Sequence, residues 1–166
     1  MLTTVLLTLA ISAAADDKPG GWPDLFPELG NFSRTVAAPV VAKGDKPEAY
    51  SQKTTYEWLG GRFEILKITV ARDPKFKDMY SANAVKLMKL QPTQLEVNKK
   101  RALLWEKLAE PDDLKNVSKR LVVVLADDKM LMVEQVGFGL ELDEVAKKLD
   151  FEKVVKALES PPPAKK

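Results

Sequence analysis

Two side-chain types are missing from this chain: it has no cysteine and no histidine. Without cysteine there is no disulfide, no thiol nucleophile, no thiolate metal site and no lipoprotein-type lipid anchor, so a packed core must carry stability alone. Without histidine the commonest general base and metal ligand is gone, which excludes Ser-His-Asp, Cys-His and His-based zinc chemistry. Carboxylate or lysine chemistry stays open. An excess of one charge sign is lacking too. The 26 basic side chains face 24 acidic ones, a balance of +2, whereas a general nucleic-acid binder carries a domain-wide basic surplus.

What is present begins at the N-terminus. The first fifteen residues carry no charged side chain, run apolar from Leu2 to Ile11 and end in Ser12-Ala13-Ala14-Ala15. This reads as an export signal cleaved after Ala15, although its basic start is only the α-amino group. As a helix the run would rise about 21 Å against a hydrocarbon core of about 30 Å, so it is too short to span. A core helix would show a polar face, and Thr3, Thr4, Thr8 and Ser12 are the only polar side chains in it. The expectation is an exported protein, periplasmic or secreted, with no stable membrane span after cleavage.

The remainder divides into a Pro- and Gly-rich irregular lead-in over residues 16–48, one α+β domain over 49–159, and a Pro/Lys tail over 160–166 that cannot join a core. In the lead-in, Trp22, Leu25, Phe26, Leu29 and Phe32 are too apolar for a free linker and are expected to cap an edge or face of the core. Tyr50 to Trp58 alternates, with Tyr50, Gln52, Thr54, Tyr56 and Trp58 on one face, and reads as a strand. Gly60-Gly61 turns it into Phe63 to Val70. Asp73-Pro74 starts a helix whose apolar face carries Phe76, Met79, Tyr80, Ala84, Leu87 and Met88 and which ends before Pro92.

Thr93 to Val97 and Ala102 to Leu108 form a second hairpin with the charged tip Asn98-Lys99-Lys100-Arg101. Pro111 to Asn116 is a polar loop. Leu121 to Leu125 is apolar on both faces, as a central strand is, and Asp127-Asp128 turns it into Lys129 to Val136. A helical pattern then runs from Leu142 to Leu158. The order ββαββββα, with short strand-to-strand links, predicts an antiparallel sheet of about six strands with helices packed on it.

Candidate sites are few. Asp112-Asp113, Asp127-Asp128 and Glu141 with Asp143 and Glu144 are paired carboxylates, but each sits where turns and helix starts use Asp for backbone bonding, and none has the spacing of a calcium loop. Lys99-Lys100-Arg101 near Trp105 could grip a phosphate or a nucleic-acid strand, but the near-neutral whole favours a solvated hairpin tip. Tyr56 and Trp58 before one turn, and Trp105 on another strand, are the candidate binding residues, because aromatics projecting from a sheet can hold a sugar, a peptide or an apolar ligand. The surfaces of Met79, Leu87, Met88, Met130 and Met132 would suit an apolar ligand between sheet and helix. No catalytic residue, no metal site and no cofactor is expected.

The phrase Pro23 to Arg34, Tyr56 ahead of Gly60-Gly61, Leu95 to Ala102, the apolar Leu121 to Val133 and Val145 to Val154 together resemble small exported bacterial proteins of unknown function with a Mog1/PsbP-like α+β sandwich. The resemblance implies a non-enzymatic accessory or binding protein and carries over no catalytic residue. The function expected is an exported accessory or binding module for an unknown protein. The alternatives are a carrier of an apolar small ligand or lipid, and a carboxylate-dependent hydrolase relying on Asp127 or Asp128.

Overall fold

The computed structural model describes residues 21–42, 49–60, 64–106, 119–137 and 140–162. The expected export signal and the loop at 111–116 lie outside these residues, as do part of the first hairpin turn at 61–63 and the end of the tail at 163–166. The strands are β1 (Phe32–Val36), β2 (Val40–Val41), β3 (Tyr50–Trp58), β4 (Ile65–Arg72), β5 (Thr93–Val97), β6 (Lys100–Glu106), β7 (Lys119–Ala126) and β8 (Lys129–Val136). The helices are α1 (Phe76–Met79), α2 (Ala82–Leu87), α3 (Leu142–Lys147) and α4 (Phe151–Ala157).

These strands make one sheet in the order β1-β3-β4-β8-β7-β6-β5, with β2 also on β3, and every pairing is antiparallel. The α+β class with an antiparallel sheet is the one expected, but eight strands stand among the described residues where about six were predicted. The two extra strands come from the lead-in, which is therefore not irregular throughout. Phe32 to Val36 lies along β3, from Phe32 opposite Trp58 to Val36 opposite Thr54, and Val40 meets Ser51 farther along the same strand. Pro39 separates the two pieces; it has no N–H to donate, so the edge ladder breaks there. The Pro and Gly around this segment hide a strand whose middle residues are all exposed.

The N-terminal and C-terminal halves join where β4 pairs β8, with Ile68 opposite Val133. Alternation then sorts side chains onto two faces. On the first face, Tyr56, Leu66, Ile68, Val70, Leu121, Val123, Leu131 and Val133 share one buried cluster with Leu142, Val145, Ala146, Phe151, Val154 and Leu158 from α3 and α4. Leu25, Phe26 and Leu29 of the lead-in belong to the same cluster. On the second face, Ala71, Leu103, Trp105, Val122 and Met130 bury against Val85 of α2, with Phe76, Tyr80, Met88 and Met132 packed around them.

The helix expected from Asp73 to Met88 is two short ones. Ser81 has extended backbone, and its Oγ accepts from Ala84 N at 3.2 Å, a cap that starts α2 afresh. The break turns Met79 and Leu87 outward, 47% and 86% exposed, so neither faces the core as the spacing suggested.

In the second hairpin Val97 pairs Lys100, leaving Asn98 and Lys99 as a two-residue turn with φ of 47° and 62°. Two positive φ values are the mark of a type I′ turn, whose twist matches the strands it joins. Asn tolerates this conformation; Lys is strained in it. Lys99→Gly is expected to raise the unfolding free energy by about 0.5–1 kcal/mol, read by urea denaturation, because relief of the strain exceeds the added entropy of the unfolded chain.

Candidate functional site

Tyr56 is fully buried on the first face. Its hydroxyl donates to the Pro27 carbonyl at 2.8 Å, and its cross-strand neighbour Arg34 donates to the Phe26 carbonyl at 2.7 Å and pairs with Glu28 at 3.0 Å. Burial pushes the Tyr56 phenol well above the ordinary phenol range; Arg34 opposes this and Glu28 adds to it. Trp58, at the end of the same strand, meets Phe32 edge-on at 5.0 Å between ring centres, and a Cβ at Gly60 would fall on its indole. Trp105 is on the second face, 8% exposed, with Nε1 donating to the Leu90 carbonyl at 3.0 Å. β3 and β6 are separated in the sheet by β4, β8 and β7. The three candidate aromatics thus form no common surface, and the polar atoms of Tyr56 and Trp105 are already bonded within the fold.

The paired carboxylates are divided in the same way. Asp127 is exposed, 3.9 Å from Lys77, whereas Asp128 accepts from Arg72 Nε at 2.6 Å and Lys129 Nζ at 3.0 Å. Burial raises the Asp128 pKa, but the bonds from Lys129 and Arg72 outweigh it and hold the carboxyl below the usual range. Such a group stays ionised and is a poor proton donor. Its folded pKa lies below the unfolded value of about 3.9, so its contribution is complete above that pH and is lost as pH falls through the folded pKa. Asp128→Asn is expected to cost about 1 kcal/mol at pH 7, part of the pair being open to solvent, and the gap from wild type should close on acidification below pH ~4 in a pH series of thermal melts. Asp143 and Glu144 are both bound by Lys147, at 3.0 and 2.5 Å. Among the described residues no group of three or more acidic side chains is placed to hold a metal ion, and no helix is long and apolar enough to cross a membrane.

Surface hollows among the described residues include the following pair. One, about 290 Å³, lies on the second face beside α1, where the helical cover ends; Val40, Ser51, Thr69, Ala71, Phe76 and Met130 are among its lining residues. Val40 at its rim is 66% exposed. The other, about 300 Å³, lies between the lead-in and α4.

No family model, no curated protein and no solved structure matches the chain. The chemistry of these surfaces therefore rests on their own residues.

Sequence reasoning passed over Gln52. It is buried at an inward position of β3, accepts from Trp22 N at 2.5 Å and donates to the Ala37 carbonyl at 2.9 Å. The signal was there: a buried polar side chain such as Gln52 requires partners, and the lead-in backbone at Trp22 and Ala37 meets it. Of the methionine surface, Met130 is buried and Met88 and Met132 pack near it, but Met79 and Leu87 face away, so the five do not converge.

Proposed function

We propose that this protein is an exported, non-enzymatic accessory module that binds another protein through the second-face groove beside α1. The observation carrying this reading is the groove itself: an apolar floor of Ala71, Phe76 and Met130, with Ser51 and Thr69 hydroxyls and the exposed valine of an edge strand at its margin. An apolar hollow with a polar rim is what an anchoring side chain of a partner requires. The resemblance to Mog1/PsbP-like accessory proteins supports a role without chemistry, and the N-terminal apolar run supports export. The pairing of Asp128 with Arg72 and Lys129 disfavours the hydrolase reading.

The second reading is a carrier that seats an apolar small ligand in the same groove. Its support is the methionine and phenylalanine lining, which adapts to varied shapes. One experiment separates the two. Wild-type protein and Val40→Glu are purified from the native host and weighed by native mass spectrometry. A stoichiometric polypeptide held by wild type and lost from Val40→Glu supports the accessory module; a bound lipid-sized mass supports the carrier. A bare mass for wild type, or equal polypeptide recovery with the variant, overturns the groove as the binding site.

A further inference from the structure

The hollow between the lead-in and α4 is built differently from the groove. Trp22, Asp24, Lys153 and Lys156 line it, with Gly21 and Ala157 at its sides. Its walls are pinned from β3. Gln52 accepts from the Trp22 N–H, and Gly21, at φ +96°, sits where any Cβ would strike the Gln52 amide. Two residues back on the same face, Tyr50 donates to the Leu158 carbonyl at 2.6 Å and so holds the end of α4, while its ring lies 5.7 Å from that of Trp22. A cleft whose two sides are fixed before binding loses little order when it is filled.

Lys153 and Lys156 lie three residues apart on α4 and so point to one side of it. Lys153 Nζ donates to the Asp24 backbone carbonyl at 3.2 Å, and Lys156 has no ion pair or side-chain hydrogen bond with any described residue. The cleft is thus lined by two lysines, Lys156 without an ion pair among the described residues, beside a half-buried indole. The exposed Asp24 carboxylate at the same margin is an acceptor without a salt bridge among the described residues.

We infer that this cleft binds a carboxylated pyranose, a uronate residue of an acidic glycan. The flat indole suits the apolar face of a sugar ring, the lysines suit its carboxylate, and the Asp24 carboxylate accepts from a ring hydroxyl. An acidic peptide fits less well, since it brings neither a flat apolar ring face to the indole nor a hydroxyl to donate to Asp24. The volume, at the low end for ligand sites, matches one sugar ring.

The test is isothermal titration of the full chain with trigalacturonate at low salt, with maltotriose and pentaglutamate as comparators. Trigalacturonate is expected to bind saturably. The double variant Lys153→Gln/Lys156→Gln should weaken that binding at least tenfold, and Lys67→Gln, on the other face, should leave it unchanged. Both α4 lysines are exposed, so the double variant should melt with wild type. The inference is overturned if trigalacturonate does not bind, if maltotriose binds as tightly, or if the double variant binds as well as wild type. Equal binding of pentaglutamate overturns it in favour of an acidic-peptide site. None of these outcomes depends on the groove on the second face.

Discussion

Trp105→Ala is expected to lower the unfolding free energy by about 3–5 kcal/mol, the range for removing a large aromatic from a packed core. Against a total stability of about 5–15 kcal/mol for a domain of ordinary size, that is about a fifth or more, and a clearly lower unfolding midpoint should follow. The side chain is 8% exposed and packs with Leu103, Val122 and Met130 of the sheet and Val85 of α2. Its loss opens a cavity at the place where α2 meets the sheet. It also leaves the Leu90 carbonyl without its indole donor, and that bond is what draws the chain after α2 onto β6. Trp105→Phe keeps most of the volume and loses the bond, so it should cost about 1–2 kcal/mol. Urea titrations of the two variants with wild type check the series. If Trp105 were a ligand platform instead, truncation would spare stability and change binding alone, and an alanine variant within 0.5 kcal/mol of wild type would reverse the structural assignment.

The same residue shows what a pattern of residue types can carry. Alternation placed the strands now seen as β3 to β8, because a sheet with two covered faces leaves an apolar signature in each strand, clearest in Leu121 to Leu125. It did not place β1, where the middle residues are exposed and Arg34 is spent on the Phe26 carbonyl and the Glu28 carboxylate. Nor could it tell that β4 pairs β8, since residues some sixty positions apart leave no local mark of their pairing. Helical periodicity reads straight through Ser81, and only its extended backbone and the bond it accepts from Ala84 N mark the break. For the candidate site the difficulty is of another kind. An aromatic on a strand has the same pattern whether its polar atom faces solvent or a backbone carbonyl; only the position of Leu90 and Pro27 decides, and both are set by irregular chain.

Tyr56 carries the second large effect, and it has an alkaline signature. Tyr56→Ala is expected to cost about 3–5 kcal/mol, for a fully buried ring next to Leu66 across the β3–β4 pair and under the lead-in. Tyr56→Phe retains the ring and deprives the Pro27 carbonyl of its donor, which should cost about 1–2 kcal/mol. The phenol adds a pH term. Its folded pKa is raised, chiefly by burial, so below the unfolded value of about 10 the native protein keeps the whole contribution. As pH climbs past that value the unfolded chain releases the proton while the native chain retains it, and stability falls with each further rise until the folded pKa is reached. Tyr80 is raised in the same direction, again mainly by burial, and contributes a slope of its own. Wild type should therefore lose stability steadily above pH ~10, and Tyr56→Phe, lacking the titrating group, should lose it less steeply, so that the two curves converge as the solution becomes more alkaline. Urea midpoints between pH 7 and 11 measure this directly. Parallel curves would mean that the Tyr56 hydroxyl titrates alike in both states, and the burial of the phenol under the lead-in would then be absent in solution.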